Sequence, residues 1–161
     1  MTAAELKTLR ESLGLTTQWI ADQASVQLRT AQYWEHGKRM AVPDDVSSML
    51  INIDEQLDRT VEQSMEVVKS KFKELGDPEV VVLVRYRTDD DLLRYRPDMK
   101  PLPTTTHGVL LNRIRKSLAL IGVESVIEYM EPAEYQAWLG KRKDSESLRS
   151  VWAASKCSES H

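Results

Sequence analysis

The chain has 161 residues, 41% hydrophobic and 29% charged, a mix that excludes disordered and fibrous classes and fits one compact domain or two small ones. A formal net charge of −3 lacks the strongly basic footprint of proteins that hold nucleic acid by bulk charge alone. No apolar run approaches the roughly 18 residues of a membrane-spanning helix, and the single cysteine, Cys157, excludes an internal disulfide framework.

One cysteine fits a reducing compartment, and Met1–Lys7 has no basic stretch leading into an apolar core, so a cytoplasmic protein without a secretory signal is expected. Three histidines and one thiol leave little material for a metal site, and no metal or cofactor is expected. The charge is uneven. Lys and Arg stand against Asp and Glu as 5 to 4 in residues 1–43, 4 to 10 in 44–80 and 13 to 11 in 81–161. An acidic middle therefore separates two nearly balanced ends.

Leu6, Leu9 and Leu13 recur at helical spacing and predict a helix over 3–13, stopped by Gly14. Thr16 serves as the N-cap of a short second helix, 17–24, with Ile20, Ala21 and Ala24 on one face. A turn at Ser25-Val26 leads to a third helix, 27–36, ended by Gly37. From Asp44 to Leu75 there is no Gly or Pro, and Val46, Leu50, Ile53, Leu57, Val61, Ser64, Val68, Phe72 and Leu75 form a sustained stripe at steps of three and four. Asp44 and Asp45 suit the start of that helix and Lys69, Lys71 and Lys73 its end; Gly76-Asp77-Pro78 terminates it.

Val80–Tyr86 reads as a strand buried on both faces, and Thr88 as the cap of a short helix that begins Asp89-Asp90-Asp91. Three prolines make 96–103 irregular. Thr104–Thr106 offer N-cap oxygens to a helix reaching Ile121, with Leu110, Leu111, Ile114 and Leu118 apolar, and Ser125–Met130 reads as a second strand. Strand, crossover helix, strand predicts a parallel βαβ unit. Pro132 opens another helix ended near Gly140, a last helix covers 145–154, and Ser155–His161 is expected to fray. The expected fold is mainly α with a small α/β part: residues 1–43 as one region, 44–76 as a long connecting helix, and 77–161 as a domain containing βαβ.

The N-terminal third carries the most specific pattern. Leu9-Arg10, then Gly14-Leu15-Thr16-Thr17-Gln18-Trp19-Ile20-Ala21, Val26, and Trp34-Glu35-His36-Gly37-Lys38-Arg39 follow one another at fixed spacing. This resembles the phage repressor and Cro (XRE-like) helix-turn-helix, which reads L-R-x-x-x-G-L-T-Q-x-x-L-A and closes on W-E-N-G-K-R. The resemblance implies double-stranded DNA as partner, with the helix around residues 27–36 in the major groove. It assigns base contacts to Gln27, Leu28, Arg29, Gln32 and Tyr33, and phosphate contacts to Thr17, Gln18, Lys38 and Arg39. Gln suits adenine, Arg suits guanine, and Leu28 suits a thymine methyl. Ile20, Ala21, Ala31 and Trp34 match core positions, and Glu35 reads as a structural hydrogen-bond partner. Trp19 stands where the family is usually polar, His36 replaces the common Asn, and one long helix stands where the family has two short ones.

The later segments Arg85-Tyr86-Arg87-Thr88-Asp89-Asp90-Asp91-Leu92, Arg94-Tyr95-Arg96-Pro97-Asp98-Met99-Lys100-Pro101-Leu102-Pro103 and Tyr129-Met130-Glu131-Pro132 resemble YdiL-like bacterial cytoplasmic proteins, which carry the same helix-turn-helix. Small autorepressors beside anti-CRISPR genes carry a similar motif, which implies regulation.

Arg85, Arg87, Arg94 and Arg96, with His107 near a helix start, form a candidate anion-binding cluster; the plainer reading pairs these arginines with Asp89–Asp91, Asp98 and Glu128. No glycine-rich phosphate loop accompanies them and His107 has no Ser or Cys at a recognisable spacing, so an enzyme is not expected. Two functions stand: a DNA-binding transcriptional regulator, a repressor acting as a homodimer, and a ligand-, RNA- or protein-binding module with a repurposed helix-turn-helix. The near-neutral charge of residues 1–43 favours the second; doubling the contacts in a dimer favours the first.

Overall fold

A computed structural model describes residues 1–37, 40–75 and 80–159, with backbone alone at 74–75 and 158–159. The fold is mainly helical with a small β-containing C-terminal region, as its sequence patterns predict, and it divides into two compact units, Met1–Thr60 and Val61–His161. The expected phosphate contacts Lys38 and Arg39 and the helix stop at 76–78 lie outside the described residues.

In the first unit, α1 (Ala3–Ser12) opens with a reciprocal cap. Thr2 Oγ1 accepts from the Glu5 backbone at 3.2 Å and Glu5 Oε2 accepts from the Thr2 backbone at 2.7 Å, which satisfies two of the donors a helix start leaves bare. Helix α2 (Thr17–Gln23) is capped by Thr16, whose hydroxyl accepts from Trp19 N at 3.0 Å. Ser25 sits in the left-handed region at φ 54°, the bend that turns α2 into α3 (Leu28–His36). Gln27 is the N-cap of α3 rather than its first residue, and its side chain makes no capping bond. Gly37, at φ 66°, closes the helix; a Cβ there would stand 3.0 Å from Ala3 Cβ. The core holds Leu6, Leu13, Leu15, Ile20, Ala21, Ala31, Trp34, Val46 and Leu50.

Helix α4 runs unbroken over Asp44–Leu75, 32 residues or roughly 48 Å at 1.5 Å per residue. The division between the two units falls inside it.

In the second unit, β1 (Val81–Arg85) pairs in parallel with β2 (Ser125–Tyr129), in the register Val81↔Ser125 to Arg85↔Tyr129. Between them lie α5 (Asp89–Tyr95), a 3-10 turn at Pro97–Met99 and α6 (Thr104–Leu120); α7 (Pro132–Leu139) and α8 (Glu146–Glu159) follow. Thr88 caps α5 through Asp91 N at 3.1 Å. The parallel βαβ order expected from the two aliphatic runs is present.

Three local expectations are corrected. Strand β1 is not buried on both faces: Val82 is buried and its four neighbours are half-buried, because a two-stranded sheet leaves each strand an open edge. Helix α6 is not capped by its own threonines: Pro103 occupies the N-cap, and Asp89 Oδ1 accepts from Thr104 N at 2.7 Å instead. Helix α8 continues to Glu159 rather than fraying after Ala154. Trp152 and Ala153 are buried at its middle, and Lys156 pairs with Glu134 of α7, so tertiary contacts hold its last turns. Tyr86, Tyr95, Tyr135 and Trp152 form a buried aromatic series with ring centroids 5.6–5.8 Å apart.

Candidate nucleic-acid interface

Helix α3 has two unlike faces. Ala31 and Trp34, three residues apart, are buried, whereas Gln27, Leu28, Arg29 and Gln32 are exposed and Tyr33 is half-buried. The exposed face therefore sets a leucine among long polar side chains, opposite the buried one.

Two of the candidate side chains on this face hold each other. Arg29 Nε donates to Tyr33 Oη at 2.6 Å, one helical turn on, and the guanidinium stands 5.6 Å from the centre of the tyrosine ring. The Nη groups of Arg29 have no hydrogen-bond partner among the described residues. His36 Nδ1 lies 2.5 Å from the carbonyl oxygen of Gln32 and tightens the end of the helix.

The candidates on α2 are more committed. Thr17 Oγ1 donates to Glu35 Oε1 at 3.4 Å, and Gln18 Nε2 donates to Asp22 Oδ1 at 2.7 Å within the helix. The Thr17 hydroxyl is thus engaged within the unit.

What fixes α3 against α1 is an ion pair that no sequence pattern announced. Arg10 Nε and Nη2 donate to the two carboxylate oxygens of Glu35 at 2.5 and 3.2 Å, and Nη1 donates to the Leu15 carbonyl at 2.7 Å. Arg10 is itself nearly buried. Glu35 is thus a hub between α1, α2 and α3, the structural role expected for it; Trp19, at a position usually polar, is half-buried.

In the second unit the five anion candidates meet different partners. Arg87 pairs with Glu131 at 2.6 Å and stacks 4.0 Å over the Tyr129 ring. Arg96 donates to both oxygens of Asp98, at 2.8–3.3 Å, and to Glu146 at 3.3 Å. Arg94 is exposed, 5.3 Å from the Tyr95 ring centre. Arg85 lies against Gly108 of α6. His107 is 2% exposed, and burial, reinforced by the charges of Arg96 and Arg85 and opposed by Asp98, pushes its pKa down to about 4. A neutral ring in the core, 5.3 Å from Tyr86, is the result. A cluster of Asp144, Tyr135 and Arg149 also escaped the sequence: Tyr135 Oη donates to Asp144 at 2.5 Å, and Arg149 pairs with the same carboxylate.

Among the described residues, no group of three or more His, Cys, Asp or Glu is placed to hold a metal ion. None of the described helices is long and apolar enough to cross a membrane. A family model described as Aca2/YdiL-like matches residues 1–108, two thirds of the chain. No curated protein matches it.

Proposed function

Because the chain belongs to the Aca2/YdiL-like family, we propose that it is a sequence-specific DNA-binding transcriptional regulator, a repressor that acts as a homodimer in the cytoplasm. The observation that carries this reading is the exposed face of α3: Gln27, Leu28, Arg29 and Gln32 stand opposite buried Ala31 and Trp34, on a helix pinned by Arg10 and Glu35. Helices α2 and α3 act as a helix-turn-helix with α3 in the major groove. Arg29 reads a guanine, Gln27 and Gln32 read adenines, and Leu28 meets a thymine methyl. Lys38 and Arg39, which follow α3, supply charge to phosphates.

Residues 1–43 are the reading head, 44–76 connect and dimerise, and 77–161 complete the dimer or sense an effector. Two reading heads double the phosphate contacts that a near-neutral head makes alone, and they ask for half-sites about 34 Å apart. Selection from random duplex DNA with the purified chain tests this. Enrichment of an inverted repeat is the expected result. A pool that stays random, with RNA or a protein captured instead, overturns it in favour of the repurposed module.

A further inference from the structure

Gly108 stands in the second turn of α6, where a glycine weakens a helix relative to alanine. Its missing side chain has a use. A Cβ built on Gly108 would meet Arg85 Nη1 at 2.2 Å, Cζ at 2.8 Å and Nη2 at 2.9 Å. The guanidinium of Arg85, reaching from the last residue of β1, therefore rests directly on the helix backbone, in a seat that any other residue at 108 would fill.

A structural arginine seated so closely normally faces a carboxylate, as Arg10, Arg87, Arg96 and Arg149 do here. Among the described residues Arg85 has none, and its side chain donates no hydrogen bond. Glu131 already holds Arg87, and Asp89 accepts from the backbone of Thr104 at the start of α6. His107, next to Gly108, is neutral and buried, and its Nδ1 has no partner among the described residues. In the parallel register Tyr129 lies beside Arg85 on the same face of the sheet, 44% exposed, with its ring covered by Arg87. The whole group sits at the carboxyl ends of two parallel strands, where open α/β sheets place their ligands.

We propose that Arg85, seated on Gly108 beside Tyr129, anchors a binding site for the phosphate group of a small molecule. The guanidinium fork offers two parallel N–H donors to two phosphate oxygens, with the counter-charge that no described residue provides. The Tyr129 ring, with Arg87 on it, forms a flat wall beside that group. If the chain is the regulator proposed above, this site is its sensor; the binding itself does not depend on that reading.

The test uses the full chain, with calorimetry and melting curves in inorganic phosphate and in phenyl phosphate, against sodium chloride of equal ionic strength. Both phosphates should raise Tm where chloride does not. Arg85→Gln should lower phosphate affinity at least tenfold. Gly108→Ala retains every charge and favours the helix but places a methyl where the guanidinium lies, so it should lower affinity to a similar degree with helical circular dichroism intact. Arg94→Ala should bind as wild type does. A wild type without a phosphate-specific shift overturns the proposal, as does undiminished, wild-type affinity in Arg85→Gln and Gly108→Ala. DNA binding is measured separately in phosphate-free buffer. Loss of DNA binding by Arg85→Gln there would make Arg85 a backbone contact and also overturn the small-molecule site; failure of the wild type to select any DNA would remove the regulator and leave the site standing.

Discussion

Glu35 of α3 accepts from Arg10 of α1 through both carboxylate oxygens, at 2.5 and 3.2 Å, with both side chains 10% exposed. The two residues are 25 positions apart, and through them α3 is anchored to the first helix of the chain. Removing one partner leaves a nearly buried charge alone, which costs roughly 3–5 kcal/mol. Glu35→Ala and Arg10→Ala should each destabilise the first unit by about 3 kcal/mol, and Arg10→Met with Glu35→Leu should restore most of it. Urea denaturation of the three variants checks this; two single variants as stable as wild type would show the pair to be ornamental.

Arg29→Ala should lose about 1–3 kcal/mol of binding at the selected site and relax preference at one base position. Tyr33→Phe keeps the ring under the guanidinium but removes the hydroxyl that accepts from Nε, so it should cost under about 1 kcal/mol. Lys38→Ala should weaken specific and random DNA alike and flatten the salt dependence. Titrations on specific and random duplexes separate the three; equal losses on both from Arg29→Ala would falsify its role in base readout.

His107 ties stability to pH. Its folded pKa of about 4 lies below the ordinary 6.5, so the unfolded chain binds the proton more readily. The stabilising contribution is present in full above about pH 6.5 and is lost as pH falls from 6.5 towards 4, amounting to roughly 3 kcal/mol at the extreme. Melting temperature should therefore fall through that window, and His107→Gln should flatten that part of the curve. A parallel fall in both proteins would assign the loss to the carboxylates.

Dimerisation should draw on the later turns of α4. Val68 and Phe72 are half-buried in a single chain, and Asp at both places charges on the apolar stripe. Sedimentation at low micromolar concentration should give twice 18.4 kDa for wild type and a lighter species for Val68→Asp with Phe72→Asp. A wild-type mass near 18.4 kDa would remove the dimer; a folded double variant that remains dimeric would move the interface to the rest of the C-terminal unit.

What the sequence alone determined is what neighbouring residues settle among themselves. Thr16 and Thr88 cap their helices because a hydroxyl and the N–H three residues on are brought together by the helix itself. The unbroken α4 follows from a period of three and four without Gly or Pro, and the parallel pair follows from two aliphatic runs too far apart for a hairpin. The exposed face of α3 was legible for the same reason, since Ala31 and Trp34 mark its opposite side.

Tertiary structure decided whatever depends on partners distant along the chain. Asp89, 15 positions before Thr104, caps α6 in place of the local threonines, because a carboxylate already delivered there by α5 is the stronger acceptor. The last turns of α8 are held by Lys156 and Glu134 and by buried Trp152, none of which the polar composition of 155–159 reveals. The four arginine candidates carry the same side chain, yet folding gives Arg87 and Arg96 carboxylates and, among the described residues, sets Arg85 on a glycine. Residue type sets the charge; which charges remain without a counterpart is a matter of three-dimensional distance, because an ion pair is worth little beyond the few ångströms in which its hydrogen bonds form.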